Sequence, residues 1–258
     1  MIKRFRLIAG PNGSGKSTLM RQLATDYAVN FYDVLNADDI FAEVSRSGCY
    51  QPHFCFDSRR LISYVDRSLY APEVKACFVN GEIVINEDCV HFRSRTAINT
   101  YTIALLTNFL QNESINQGRS FSQETVFSHP SKIEALRVAK AVGYRTYLYF
   151  VATDTPLINL ARVSLRAKQG GHDVPAGKIK SRFERSLAQL PLAFEHLSRA
   201  FFFDNSGETM RYLAHWNPDE GLVKTDDGIP FPKWARSLCV EGNSRVASAE
   251  ILTGGERG

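Results

Sequence analysis

The chain lacks the features of membrane-spanning and secreted proteins. None of its apolar runs approaches the roughly 20 residues that cross a bilayer, and the run after Lys3 and Arg4 is too short for a signal peptide. Its five cysteines show no CxxC spacing, and its six histidines form no HExxH pair. We therefore expect neither a zinc site nor a disulfide framework, but free thiols in a cytoplasmic protein without a membrane partner.

A strong charge of one sign is also missing. The net charge is +4, a basic excess that suits an anionic substrate as well as a nucleic-acid surface. The interleaved aromatic and basic residues typical of single-strand binders are absent, so we do not expect a nucleic-acid partner. The hydrophobic share of 44% suffices for a sizeable core in a chain of 258 residues.

The strongest pattern that is present lies at residues 10–17, which read GPNGSGKS and fit GxxxxGK[ST]. An apolar run (5–9) precedes this octet, and a helix-like stretch (17–27) follows it, which is the context that a P-loop requires. Glycines let backbone N–H groups approach a phosphate, and the helix N-terminus adds a partial positive charge. Lys16 is expected to reach the outer phosphates of a nucleoside triphosphate, and Ser17 to ligate Mg²⁺.

Features of motor and transporter ATPases are missing. There is no LSGGQ-like segment, and no strand of four apolar residues ends in Asp-Glu. The run that ends in Asp154 is only a weak candidate for supporting a metal. The absences favour a kinase.

Apolar runs alternate with helical periodicity along most of the chain. This alternation predicts an α/β P-loop NTPase fold, with a mainly parallel five-stranded sheet flanked by helices. The predicted strands are 4–9, 31–35, 120–126, 145–152 and 200–203, and the predicted helices are 16–27, 131–142 and 155–168.

Residues 46–117 interrupt this alternation and are predicted to form an inserted α+β subdomain. Asn80-Gly81 between two apolar runs indicates a β-hairpin, and a helix is predicted over about 91–117. The kinase core is then 1–45 with 118–215. The extension 216–258 has a turn at 217–221 and is predicted to be disordered from about 240.

Asp38 and Asp39 follow the second predicted strand. A carboxylate there can accept the proton of an attacking hydroxyl. The alternative is that it caps the N-terminus of a helix over 39–46.

Basic residues flank the glycine segment 169–175. Arg162 and Arg166 share one helix face, and Arg182 and Arg185 lie with Lys178 on the polar side of the amphipathic stretch that follows. Such arginines suit a lid that closes on a phosphoryl group in flight, whereas the alternative is a solvated basic face. Pro191 is expected to break this stretch.

Eight segments in order resemble the zeta toxin superfamily: GPNGSGKST (10–18), NADD (36–39), SQETVFSH (122–129), AKAVGY (139–144), RVSLR (162–166), GGHDVP (170–175), RFERSL (182–187) and FDNS (203–206). They cover about 1–45 and 118–207. Zeta toxins are P-loop kinases that phosphorylate the sugar 3′-hydroxyl of UDP-N-acetylglucosamine and are inhibited by a small antitoxin protein. The resemblance implies a kinase with ATP and Mg²⁺ as cofactors and a nucleotide sugar as substrate.

The resemblance also implies a role for individual residues. Asp38 is the expected base, Glu124 and Thr125 are expected to face the sugar, and Arg166 is expected to clamp the phosphate together with Arg182 or Arg185. Arg162 is included with the substrate contacts. The expected ATP-binding residues are Gly10, Pro11, Asn12, Gly13, Ser14, Gly15, Lys16, Ser17 and Thr18.

The insertion 46–117 matches nothing in the toxin pattern. A second function therefore stays open, that of an ATP-binding regulatory or nucleic-acid-associated protein whose insertion binds a partner.

Overall fold

A computed structural model describes residues 2–68, 72–86, 89–169, 174–226, 228–238 and 244–247. The chain divides into two compact units. Met1–Tyr32 and Glu124–Gly258 form unit 1, and Asp33–Gln123 form unit 2. Because strand β6 contains residues 123 and 124, the division falls within that strand.

Strands and helices alternate along the described chain. In order they are β1 (Arg4–Ala9), α1 (Lys16–Asp26), β2 (Asp33–Asn36), α2 (Ala37–Ser47), β3 (Cys49–Tyr50), α3 (Ser58–Arg67), α4 (Pro72–Val79), β4 (Ile83–Asn86), β5 (Cys89–Phe92), α5 (Thr100–Asn116), β6 (Phe121–Thr125), α6 (Ser131–Ala141), β7 (Arg145–Ala152), α7 (Pro156–Lys168), α8 (Ala176–Ala188), α9 (Leu190–Ala193), β8 (Arg199–Asp204), β9 (Arg211–Asn217), β10 (Gly221–Thr225) and β11 (Ser244–Ala247), with 3₁₀ turns at Phe194–His196 and Lys233–Leu238.

The sheet of unit 1 is built around three parallel strands. Its strands lie in the order β11-β10-β9-β8-β7-β1, and β7 runs parallel to both β1 and β8. Every residue of β7 after Arg145 is buried, which explains why this strand is a continuous apolar run. The carboxyl ends of β1, β7 and β8 therefore share one edge, where parallel sheets bind ligands.

The mainly parallel α/β architecture is confirmed, and strand 145–152 has the predicted bounds. Three strands of this sheet were not predicted. Strands β9 and β10 extend it as an antiparallel hairpin beyond β8, and β11 pairs with β10. The turn predicted at 217–221 joins β9 to β10. Of the segment after about 240, which was predicted to be disordered, the structure describes only β11. The rest of that segment lies outside the described residues.

Helices α7 and α8 pack against each other in unit 1. Val163 and Ile179 are buried together with Val174, which precedes α8. Helix α8 ends at Ala188, and Pro191 lies in the first turn of the next helix, α9. Proline is favoured there because an N–H at that position would have no partner within the helix. No described helix combines the length and apolar character needed to cross a membrane.

Unit 2 contains β2 beside β6 and a separate sheet in the order β3-β5-β4. Its central helix is α5, eleven of whose residues are buried. The Asn99 side chain caps this helix by accepting hydrogen bonds from the backbone N–H groups of Tyr101 and Thr102, each at 3.0 Å.

The hairpin predicted at Asn80-Gly81 is wrong. The residues before it belong to α4, and Asn80 N–H donates to Ala76 O at 2.8 Å in the last turn of that helix. Gly81 has φ +70°, the left-handed conformation that ends helices as readily as it turns hairpins. The hairpin of unit 2 instead joins β4 to β5.

The helix predicted over 91–117 begins late. Its first residues form β5, since His91 pairs with Cys49 of β3 and Val84 of β4. The helical stretch starts only at Thr100, behind the Asn99 cap.

Candidate active site

Residues 10–15 form the loop between β1 and α1 in unit 1. Three of its glycines adopt left-handed φ angles: Gly10 at 149°, Gly13 at 75° and Gly15 at 100°. A Cβ on Gly13 would lie 2.7 Å from the backbone oxygen of Asn159, and one on Gly10 would collide with the oxygen of Val151. The glycines are therefore required both by backbone conformation and by close packing.

Two asparagine side chains fasten this loop to the rest of unit 1. Asn159 of α7 donates from Nδ2 to Asn12 O at 2.6 Å and accepts a hydrogen bond from the Thr153 hydroxyl. Asn205, after β8, donates from Nδ2 to Ser14 O at 2.8 Å. Asn159 is fully buried but was not predicted as a site residue. The signal that the sequence contains is an amide side chain within an otherwise apolar helical stretch.

The loop has the donors that a phosphate needs. Gly15 occupies the N-cap of α1 without a side-chain cap, and the first turn carries no acidic residue. The start of α1 therefore carries no negative side chain that would oppose an anion at the positive end of the helix dipole. The Ser14 hydroxyl is buried and has no hydrogen-bond partner among the described residues. These features fit the phosphates of a nucleotide.

The side chains of Lys16 and Ser17, at the end of the motif, make different contacts. Lys16 Nζ donates to Pro11 O at 3.2 Å and so folds over the loop. The Ser17 hydroxyl donates to the Glu124 carboxylate, with distances of 3.1 and 3.3 Å to its two oxygens. An exposed hydroxyl paired with a carboxylate is a donor set that suits Mg²⁺. The next residue, Thr18, is exposed on the first turn of α1.

The chain bends sharply after β6. Phe127 has φ +61°, which is strained for a bulky residue, while its ring is fully buried against Phe150 at 6.3 Å between centroids. The Thr125 hydroxyl accepts a hydrogen bond from Phe127 N–H at 3.3 Å, and Ser186 Oγ of α8 donates to Val126 O at 2.5 Å. The end of β6 is thus fixed to α8.

The structure separates the two arginines between which the sequence left a choice. Arg182 Nη1 donates to Asn12 Oδ1 of the P-loop at 3.3 Å. Arg185 is exposed, and its Nε donates to Ser181 O in its own helix at 3.3 Å. Arg182 therefore lies at the loop, whereas the described contact of Arg185 stays within α8.

The two arginines of α7 differ in their surroundings. Arg162 donates to the backbone oxygens of Asn205 and Gly207, at 2.8 and 3.4 Å, and so binds the loop that follows β8. Arg166 is exposed in the last turn of α7. The Gly170-Gly171 segment predicted to act as a lid lies outside the described residues.

Asp38 and Asp39 lie in unit 2, in the first turn of α2. The capping alternative is wrong, because Asn36 is the N-cap and its Oδ1 accepts from Asp38 N–H at 3.0 Å. Both carboxylates are exposed. Desolvation of the Asp39 carboxylate by its neighbours, and then the negative charge of Asp38, raise the pKa of Asp39 above its ordinary value. The hydrogen bond with Asn36 opposes this shift.

Comparison with solved structures places this fold. A crystal structure of the AvrRxo1-ORF1:-ORF2 complex with ATP superposes with a TM-score of 0.52 at 13% identity, over 84% of this chain and 59% of that one. The likeness shows a shared fold, and the α/β P-loop NTPase fold predicted from the sequence is thereby confirmed.

Two further similarities are weaker or shorter. A structure of the PezAT chromosomal toxin–antitoxin system of Streptococcus pneumoniae matches with a TM-score of 0.45 at 14% identity, over 81% of this chain and 72% of that one. An uncharacterized protein of Haemophilus influenzae is 33% identical over 69 residues, which are 27% of this chain and 49% of the relative. The chain thus spans about half the length of that relative. No family model matches the chain.

Proposed function

We propose that the protein is an ATP-dependent kinase that transfers the γ-phosphoryl group to a hydroxyl of a small molecule. The observation that carries this proposal is the contact of Arg182 with Asn12 of the P-loop. An arginine at that loop can stabilise charge on a phosphoryl group during transfer, which a protein that only binds ATP does not need. The acceptor class implied by the zeta toxin resemblance is a nucleotide sugar, such as UDP-N-acetylglucosamine.

Three residues of unit 1 have separate proposed roles at the nucleotide. When bound, Mg²⁺-ATP supplies the phosphoryl group and a metal charge that offsets the negative charge of the transferring oxygens. Lys16 would leave Pro11 O for the outer phosphates, and Ser17 would ligate the metal. The Glu124 carboxylate accepts the hydrogen bond of Ser17. We therefore propose that Glu124 supports the metal and does not contact the sugar.

Asp38 is our proposed general base. Its exposed carboxylate in the first turn of α2 is free of the capping role, which Asn36 fills. An exposed carboxylate that does not cap the helix can accept the proton of an acceptor hydroxyl as the hydroxyl attacks the γ-phosphoryl group. The assignment to Asp38 rather than Asp39 follows the zeta toxin pattern.

The test is phosphoryl transfer from γ-labelled ATP by the full chain, with UDP-N-acetylglucosamine and a metabolite extract as acceptors. Labelled product should appear with the wild-type protein and disappear with Lys16→Ala. Arg182→Ala should lower kcat by about 10²- to 10³-fold with little change in ATP affinity, because the arginine acts on transition-state charge. Arg185→Ala is the matched control on the same helix and should keep its activity.

Three results would contradict the proposal. One is ATP turnover without transfer to any hydroxyl compound, and another is an equal loss in the two arginine variants. The third is a salt-sensitive affinity for nucleic acid in place of transfer, which would favour the regulatory alternative.

A protein partner belongs to the same proposal. The AvrRxo1-ORF1 structure is a complex with ORF2, and zeta toxins are inhibited by an antitoxin. If this chain is a toxin, its expression should slow growth of a bacterial host, and Lys16→Ala should not. Equal growth with both proteins would favour a metabolic kinase without an inhibitor.

A further inference from the structure

A cluster of three metal-ligating side chains lies in unit 2, on the small sheet β3-β5-β4. Cys49 of β3 pairs directly with His91 of β5, and Cys89 lies two residues before His91 on the same strand. The pleat points residues two apart to one face, so the three side chains share that face. Their ligand atoms all lie within 4.8 Å of one another.

We propose that Cys49, Cys89 and His91 bind a zinc ion. Two thiolates and one imidazole are the ligand set that Zn²⁺ prefers. Bond lengths of about 2.3 Å to sulfur and about 2.0 Å to nitrogen place tetrahedral ligand atoms roughly 3.5–3.8 Å apart. The observed spacing therefore needs only a contraction that side-chain rotation can supply, and the half-buried side chains leave a path for entry.

The fourth position of the metal can be taken by a water molecule, which completes a tetrahedral site with two sulfurs and one nitrogen. Binding would release the two thiol protons to solvent, so the bound ligands are two thiolates and a neutral imidazole.

The geometry is less favourable for a disulfide between the two cysteines. Cys49 and Cys89 are diagonal neighbours across the β3–β5 pair, because Cys49 is opposite His91. Diagonal neighbours have Cα atoms about 7–8 Å apart, whereas a disulfide usually needs less than about 7 Å. A metal can bridge this spacing without movement of the backbone.

A metal at this place would stabilise the end of α2. Strand β3 has only two residues and follows α2 after Gly48. Binding Cys49 to two residues of β5 would hold that short strand in register. The proposal is independent of the kinase activity, because none of the three ligands belongs to the proposed catalytic residues.

The absence of a CxxC pair argued against zinc at the level of sequence. The ligands here come from two strands, and the closer two are spaced Cys-x-His, which suits a strand and not a zinc-ribbon turn. Only the pairing of β3 with β5 brings Cys49 to them, across 40 residues of chain.

The test is metal binding by the full chain, kept reduced and free of nucleotide and Mg²⁺. We expect one equivalent of Zn²⁺ per chain after gel filtration, and with Co²⁺ the intense visible bands and sulfur charge-transfer absorption of a tetrahedral thiolate site. Cys89→Ser and His91→Ala should weaken Zn²⁺ affinity by more than about tenfold, since each removes a direct ligand. The double variant His53→Ala, Cys55→Ser alters an exposed histidine and cysteine of the same unit and should bind like the wild type.

The wild-type stoichiometry decides the question even if a ligand variant fails to fold. A reduced wild-type protein that retains no Zn²⁺ and gives no cobalt thiolate absorption would overturn the proposal. So would equal zinc affinity in the ligand variants and the control. Isolation of the wild type with a Cys49–Cys89 disulfide that still forms in the presence of Zn²⁺ would also overturn it.

Discussion

At the scale of single residues, Glu124 is the clearest case in which a contact changes an assignment. Its carboxylate accepts the Ser17 hydrogen bond. We expect Glu124→Gln to raise the Mg²⁺ concentration for half-maximal activity by about 10-fold or more, because the amide keeps the shape but loses the charge that supports the metal. Glu134→Gln, on the exposed face of α6, is the control. An unchanged Mg²⁺ dependence with a raised KM for the acceptor would indicate that Glu124 contacts the sugar, as first expected, and not the metal.

Asp38 and Asp39 offer a test in which each variant is the control of the other. We expect Asp38→Asn to lower kcat by about 10²- to 10⁴-fold while ATP affinity is kept, because an amide cannot take a proton. Asp39→Asn should retain most of the activity. Steady-state kinetics with saturating ATP would show the difference. The reverse ranking would move the base to Asp39, and full activity in both variants would exclude either carboxylate as the base.

The site residues differ in how far the sequence reveals them. Lys16 and Ser17 belong to a contiguous motif, so local spacing is enough to predict their place in the site. Arg182 and Asn159 contact Asn12 across 170 and 147 residues of chain, and no local pattern encodes that approach. The sequence limited the proposed phosphate clamp to Arg166 together with Arg182 or Arg185. Only the hydrogen bond between Arg182 and Asn12 distinguished Arg182 from Arg185.

At the scale of elements, the cap of α5 should contribute measurably to stability. Asn99 satisfies two of the N–H groups at the start of this helix. Asn99→Ala should lower the free energy of unfolding by about 1 kcal/mol, and Asn99→Gly by only a few tenths, because glycine tolerates the N-cap conformation. Urea unfolding followed by circular dichroism measures both. An unchanged free energy of unfolding in Asn99→Ala would mean that the side-chain hydrogen bonds of Asn99 do not contribute to the stability.

The elements that the sequence predicted well are those with one dominant signal. Strand β7 is a continuous apolar run, and its bounds were predicted. The hairpin at Asn80-Gly81 failed because a left-handed glycine ends a helix as well as it turns a hairpin, and the residues before it continue a helix that starts at Pro72. Strand β9 depends on pairing with β8, and β10 depends on pairing with β9. Local periodicity does not contain these pairings.

At the scale of the whole molecule, the division into two units separates the proposed chemistry. Unit 1 contains the P-loop, Glu124 and Arg182, which are the groups expected at the nucleotide. Unit 2 contains Asp38 together with the inserted elements β3 to α5. If the proposed assignments hold, nucleotide binding and acceptor chemistry are encoded in different parts of the chain. On this arrangement, substitutions in the insertion should alter acceptor kinetics before they alter ATP affinity.

The stability of the whole molecule should fall in acid partly through His215. This side chain is buried on β9, with Nδ1 3.0 Å from the Tyr212 hydroxyl. Burial lowers its pKa below the ordinary value, although the Glu220 carboxylate opposes the shift. The unfolded chain therefore takes up a proton at a pH where the folded chain does not. Stability rises with pH through the window below about 6.5 and is lost as the pH falls through it.

We expect His215→Asn to reduce this loss, because the amide can still bond to Tyr212 but does not titrate. Thermal unfolding midpoints at about pH 7.5 and about pH 5 measure the effect, and their difference should be smaller in the variant than in the wild type. His53→Asn, an exposed histidine, is the control and should keep the wild-type difference. The same acid loss in both variants would assign the effect to carboxylates instead, since these also lose native interactions when they are protonated.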